Sequence, residues 1–149
     1  MDLLDFGIRI GAALFSGLFI GVEREIRNKN AGLKTNALVS LGAAVFVLIS
    51  LDFRGEPYVD MTRVMGQVVT GIGFIGAGVI LHTGTTVRGL TTAATIWCSA
   101  GAGCLAAVGM FNELLVLTLL IVFVNVVFGY MDRFINKKLH RDPNKKTED

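Results

Sequence analysis

LLVLTLLIVFVNVVFGY, residues Leu114–Tyr130, carries no charged side chain. As a helix rising 1.5 Å per residue, it covers most of the hydrocarbon thickness of a bilayer. Working outward from it, four more apolar runs precede it: Phe6–Val22, Ala37–Leu51, Val64–Leu81 and Leu90–Met110. Each is near the length a crossing helix needs. Asn112-Glu113 is all that separates the last two runs, which predicts a tight helical hairpin. The expected fold is all-α: a polytopic membrane bundle of five transmembrane helices over residues 1–132, followed by a basic cytoplasmic tail, 133–149.

Composition agrees with lipid as the solvent. The 149 residues are 52% hydrophobic and 17% charged, with a mean hydropathy of +0.61, outside the ordinary range of a soluble domain. Pro57 and Pro143 are the two prolines, while 18 glycines are scattered through the apolar runs, as in helices that pack backbone to backbone. The first run follows Met-Asp-Leu-Leu-Asp, without a basic leader, and contains Arg9. It is therefore read as a retained helix and not a signal peptide.

Lysine and arginine set the expected orientation. One side of the proposed spans collects Arg24, Arg27, Lys29, Lys34, Arg88, Arg133, Lys137, Lys138, Arg141, Lys145 and Lys146, whereas the other holds Arg54 and Arg63. Cytoplasmic loops carry the excess, so the N-terminus is expected outside and the tail inside. That tail reads as a helix end followed by disorder, with a basic face toward anionic lipid.

Sliding the chain by 57 residues aligns Gly21 with Gly78, Val22 with Val79, Gly32 with Gly89, Leu33 with Leu90, Thr35 with Thr92 and Ala37 with Ala94. Helices one and two would thus repeat as helices three and four in the same orientation. Such parallel repeats occur in transporters, with sites at the repeat interface, and also in proteins that move nothing.

Several polar residues stand where lipid discourages them. Glu23-Arg24-Glu25 ends the first run and Arg27, Lys29, Lys34, Thr35 and Asn36 follow; the matching loop holds His82, Thr85, Thr86, Arg88, Thr91 and Thr92. The bland reading is interfacial anchoring of helix ends. A carboxylate so near hydrocarbon needs a partner, for Glu23 most simply Arg24, Arg27, Lys34 or Arg88; the sharper reading is a cytoplasmic network in which Glu23 or Glu25 bonds across the repeat to Arg88. Arg9 is expected to turn toward Asp2, Asp5 or Asp60. Gln67 and Thr70 share a helix side with Gly71 and are functional candidates at mid-depth.

The string Gly71-Ile-Gly-Phe-Ile-Gly76 matches a dinucleotide fingerprint but lacks the preceding strand, the βαβ unit and the later acidic residue. Gly66, Gly71, Gly73, Gly76 and Gly78 are instead read as a helix-packing seam that places the third helix at the bundle centre. Cys98 and Cys104 point to different sides of one helix and read as small core residues. No nucleophile with a base, P-loop or metal constellation is evident. No catalytic residue and no cofactor are expected, and nucleic-acid binding is disfavoured.

Gly21–Glu25 (GVERE), Ala31–Val39 (AGLKTNALV), Gln67–Ile80 (QVVTGIGFIGAGVI) and Val87–Gly101 (VRGLTTAATIWCSAG) are motifs in which the chain resembles the MgtC/SapB family of bacterial inner-membrane proteins. The resemblance covers roughly residues 8–130 and is to the membrane domain, without the ACT-like domain that follows it in longer relatives. Some relatives have asparagine at the position of Thr91. The resemblance implies an inner-membrane protein linked to low-magnesium adaptation and virulence. It implies regulation of another membrane protein such as the F-type ATP synthase, with magnesium or other cation transport as the alternative. Membrane lipid and another inner-membrane protein are the expected partners, and a homo-oligomer is compatible with the glycine content.

Overall fold

The computed structural model describes residues 1–139. Five helices dominate it: α1 (Leu3–Ile26), α2 (Leu33–Asp52), α3 (Met61–Gly78), α4 (Leu90–Val108) and α5 (Phe111–Leu139). Between α3 and α4 stands a small antiparallel hairpin, β1 (Leu81–Thr83) and β2 (Thr86–Arg88), with Leu81 opposite Arg88 and Thr83 opposite Thr86. The expected all-α bundle is present, and the chain is a membrane protein: α1, α2, α4 and α5 are each long and apolar enough to cross a bilayer. The 18-residue α3, with Arg63, Gln67 and five glycines, is not among them.

Local chemistry sets the helix ends. The Asp60 carboxylate accepts from Thr62 N at 2.9 Å and from the Thr62 hydroxyl at 2.6 Å, satisfying a donor in the first turn of α3. Glu25 accepts from Leu33 N at 3.3 Å and so caps α2 from the preceding helix. After α1, Asn28 takes a left-handed φ of 52°, and Lys29 N returns to Arg24 O. After α4, Gly109 does the same at 81°, and Met110 N returns to Leu105 O. Both are Schellman endings. The α4–α5 break therefore falls at Gly109-Met110, and the expected break at Asn112-Glu113 is corrected: those residues form the first turn of α5, where Glu113 favours the positive helix end.

The core is small-residue packing. Ala13, Ala44, Val47, Leu48, Ala102, Ala106, Ala107 and Leu114 form one buried cluster joining α1, α2, α4 and α5. A second cluster of Ala43, Ile72, Ile96 and Ala100 attaches α3. Lipid tails are as apolar as leucine, so close approach and interhelical hydrogen bonds hold such helices together more than burial does. The structure supplies both. A Cβ on Gly17 would lie 2.6 Å from Asn36 O, one on Gly21 would lie 2.6 Å from Leu33 Cα, and one on Gly103 would strike the Ser40 carbonyl. Ser16 pairs with Thr118 at 2.7 Å and Ser40 donates to Ala13 O at 2.8 Å. Phe15, Phe19, Phe74, Trp97 and Phe123 face outward.

The glycine seam expected on α3 is corrected. Only Ile72 and Gly76 are buried there, Gly66, Gly71, Gly73 and Gly78 have open space where a Cβ would stand, and Gly76 meets Ala93 at an ordinary 3.6 Å. Instead of occupying the centre, α3 lies at the periphery, against α4 and more lightly against α2. The 57-residue repeat survives where α2 and α4 begin: Gly32 and Gly89 occupy their N-cap positions, and Leu33 and Leu90 are their first residues. The connections differ, a tight turn in the first copy and the hairpin in the second.

Candidate functional site

Around the C-terminus of α1, the first turns of α2 and α4, and residues 124–132 of α5, the chain builds one polar end. A cavity of about 570 Å³ opens here, lined by Glu23, Arg24, Arg27, Lys29, Arg88, Thr91, Thr92, Asn125 and Asp132 among others. Helix spacing puts Glu23 and Arg27 on one face of α1. Arg27 Nε lies 3.0 Å from Glu23 Oε1, off-line for a hydrogen bond but close enough for an ion pair. The same guanidinium donates to Asn125 O and Val126 O, each at 3.2 Å, and sits 4.6 Å over the Tyr130 ring. One side chain thus ties α1 to α5.

The expected Glu23–Arg88 pair does not form. Glu23 is buried, and leaving such a charge alone costs about 3–5 kcal/mol. A partner one turn away on the same helix supplies the positive charge with less side-chain ordering than an arm reaching across from another element. Arg88 remains exposed on β2, at the rim of the cavity. Glu25 is also unavailable, being engaged with Leu33 N.

Arg24 points inward. At 3% exposure it donates through Nη2 to Thr92 Oγ1 at 2.8 Å and to Asn30 O at 3.4 Å. This contact is one of several that join the two repeat copies. Its Nε has no partner, and neither do Glu23 Oε2 and Asn125 Nδ2, although all three atoms are buried. An unmatched buried polar group costs about 1–3 kcal/mol, and all three of these atoms belong to residues that line one cavity.

Of the remaining candidates, Asn36 is fully buried, donating to Ala31 O at 2.5 Å and Gly32 O at 3.0 Å and accepting from Ser99 at 2.8 Å. It links α2 to α4 beneath the polar end. Lys34 is exposed and Thr35 half-buried, and neither lines the cavity. Gln67 and Thr70 are both exposed on α3, contrary to the expectation that they point into the bundle. Thr70 returns its hydroxyl to Gly66 O at 2.9 Å, while Gln67 borders a separate apolar groove of about 520 Å³ between α2 and α3. Arg9 meets Asp5 at 2.9 Å, one of its three expected partners, and also donates to Ala107 O at 2.6 Å.

Arg27 is one of the four partners expected for Glu23, and it is the one that forms the ion pair. Sequence reasoning left Asn125 and Ser99 unremarked; Asn125 gave no signal, because its neighbours are about a hundred residues away in the chain. At the opposite end Asp52 lies 3.6 Å from the N-terminal amine and Asp60 caps α3, so the carboxylates of that loop are spread out. Among the described residues no three His, Cys, Asp or Glu side chains converge as metal ligands would.

A family model described as the MgtC family matches residues 10–134. Protein MgtC of Salmonella typhimurium strain LT2 is 44% identical over 137 residues, covering 92% of this chain and 58% of the relative. Protein MgtC of Brucella abortus strain 2308 is 50% identical over 117 residues, covering 78% and 48%. An uncharacterized protein of Synechocystis sp. is 42% identical over 129 residues, covering 87% and 54%. The chain thus spans about half the length of these relatives. No solved structure matches.

Proposed function

The chain belongs to the MgtC family, and from that premise we propose that it is a non-enzymatic regulator in the bacterial inner membrane, acting through helix contacts with another membrane protein. The proposed setting is low-magnesium adaptation and virulence, and the first partner to test is the F-type ATP synthase. Arg24, Arg27, Lys29, Lys34 and Arg88 gather at one end of the bundle, and the positive-inside rule directs that end to the cytoplasm, with the N-terminus outside.

The observation that carries this reading is the contrast between a closed interior and an open α3. The polar groups at mid-depth are consumed locally, Ser16 by Thr118 and Ser40 by Ala13 O, so the described residues offer ions no continuous polar path. Meanwhile α3 turns its glycines outward beside an apolar groove, a surface another transmembrane helix can approach closely. A second copy of this chain would meet the same surface.

Co-reconstitution of the purified chain with the ATP synthase in liposomes tests the proposal through ATP-driven proton pumping. A dose-dependent fall in pumping is expected, relieved when Gly73→Leu blocks the α3 face. In liposomes with the chain alone and an internal magnesium indicator, no saturable flux is expected. Saturable flux lost in Glu23→Ala and Gln67→Ala variants would replace the regulator with a transporter.

A further inference from the structure

We infer that the polar end carries a binding site for a phosphate oxyanion that also offers a hydrogen-bond donor, an inference independent of the regulator reading. Charge is the first ground. Arg24, Arg27, Lys29 and Arg88 line the cavity against the carboxylates of Glu23 and Asp132, which leaves a positive excess.

The second ground is the start of α4. No side chain caps this helix, and Gly89 precedes it with φ 93°. A Cβ there would strike the Val79 carbonyl, so only glycine lets the chain turn into the helix at this point. Leu90, Thr91 and Thr92 line the cavity, and the positive end of a 19-residue helix faces the ligand space.

A helix terminus alone would not make a site. The independent observation is that Arg24 is 97% buried, lines the same cavity and holds its Nε without a partner, while Asn125 Nδ2 is a second buried donor without one. An oxyanion bound in this cavity would supply the acceptor that these donors lack, as phosphate does on arginine and backbone N–H groups. Glu23 Oε2 is the unmatched acceptor. It repels a bare anion and welcomes a hydroxyl or ammonium on the ligand, which selects hydrogen phosphate or a headgroup such as phosphatidylglycerol. A cavity of about 570 Å³ suits either.

The experiment places the whole protein in phosphatidylcholine nanodiscs, whose lipid has a phosphate but no hydrogen-bond donor. It measures binding of inorganic phosphate by calorimetry at constant ionic strength. In parallel, native mass spectrometry counts phosphatidylglycerol retained from mixed nanodiscs. Saturable phosphate binding identifies the free ion, and selective retention of phosphatidylglycerol identifies the lipid. Arg24→Gln is expected to weaken whichever is bound at least tenfold. Should that variant fail to fold, Arg88→Gln at the exposed rim keeps the test: a few-fold weakening is expected with an unchanged melting temperature. Neither ligand binding, or unchanged affinity in Arg88→Gln and in folded Arg24→Gln, overturns the proposal.

Discussion

Glycine is used in opposite ways by the α1–α2–α4 interfaces and by α3. At Gly17, Gly21 and Gly103 another backbone stands where a side chain would be, whereas Gly66, Gly71, Gly73 and Gly78 meet nothing within 4 Å. The first set is required by the fold; the second leaves a smooth face on a lightly held helix. A glycine in an apolar run therefore identifies a helix able to pack closely, and only the third dimension says whether it does so inside the chain.

The most damaging way to break this contrast is Gly103→Val. With the Ser40 carbonyl in the way, the helices must separate, at about 3 kcal/mol or more, seen as a lowered thermal unfolding midpoint in detergent. Asn36→Leu comes next. It strips Ser99 and two carbonyls of their partner inside the same interfaces, and about 1–2 kcal/mol should be lost in the same assay. Gly73→Ala should go the other way, raising stability by roughly 0.5 kcal/mol, because alanine is the better helix former and the space is open. A clear loss from Gly73→Ala would place α3 inside an interface after all.

The gentlest test is acid. Hydrogen bonds from the Thr62 hydroxyl and backbone hold the Asp60 carboxyl below the ordinary aspartate value. Its contribution is thus present above the unfolded-state value near 3.9 and fades as pH falls through the lower folded-state value. Protection of amides at the start of α3, taken against the intrinsic exchange rate at each pH, should fall below about pH 3.9 with little change in α1 or α4, and in Asp60→Ala it should already be low at neutral pH.

These contrasts show how far the sequence carried. Apolar run length revealed the helices because a bilayer asks roughly 17–25 apolar residues of each crossing segment, and the Arg9–Asp5 pair was accessible because it spans a single turn. The tail beyond Leu139 lies outside the described residues, so its reading stays an expectation. The position of α3 was hidden, since outward and inward glycines look alike in one dimension. So was the hairpin at 81–88, where a three-residue strand offers too little alternation to read. The polar cavity was half legible: Glu23, Arg24, Arg88, Thr91 and Thr92 stood out as polar residues at span borders. The Arg27 contacts with α5 and the unmatched amide of Asn125 depend on neighbours 98 residues or more away.

Arg9 has a consequence in time as well as in space. Its carbonyl partner at Ala107 lies 98 residues further along the chain, which at synthesis rates of about 5–20 residues per second means a wait of roughly 5–20 s before that partner exists. Through that interval a guanidinium in the first helix to leave the ribosome has only Asp5, already beside it, for company. The neighbouring carboxylate serves as an escort during birth, and the contact with α4 is added to it once the fourth helix arrives.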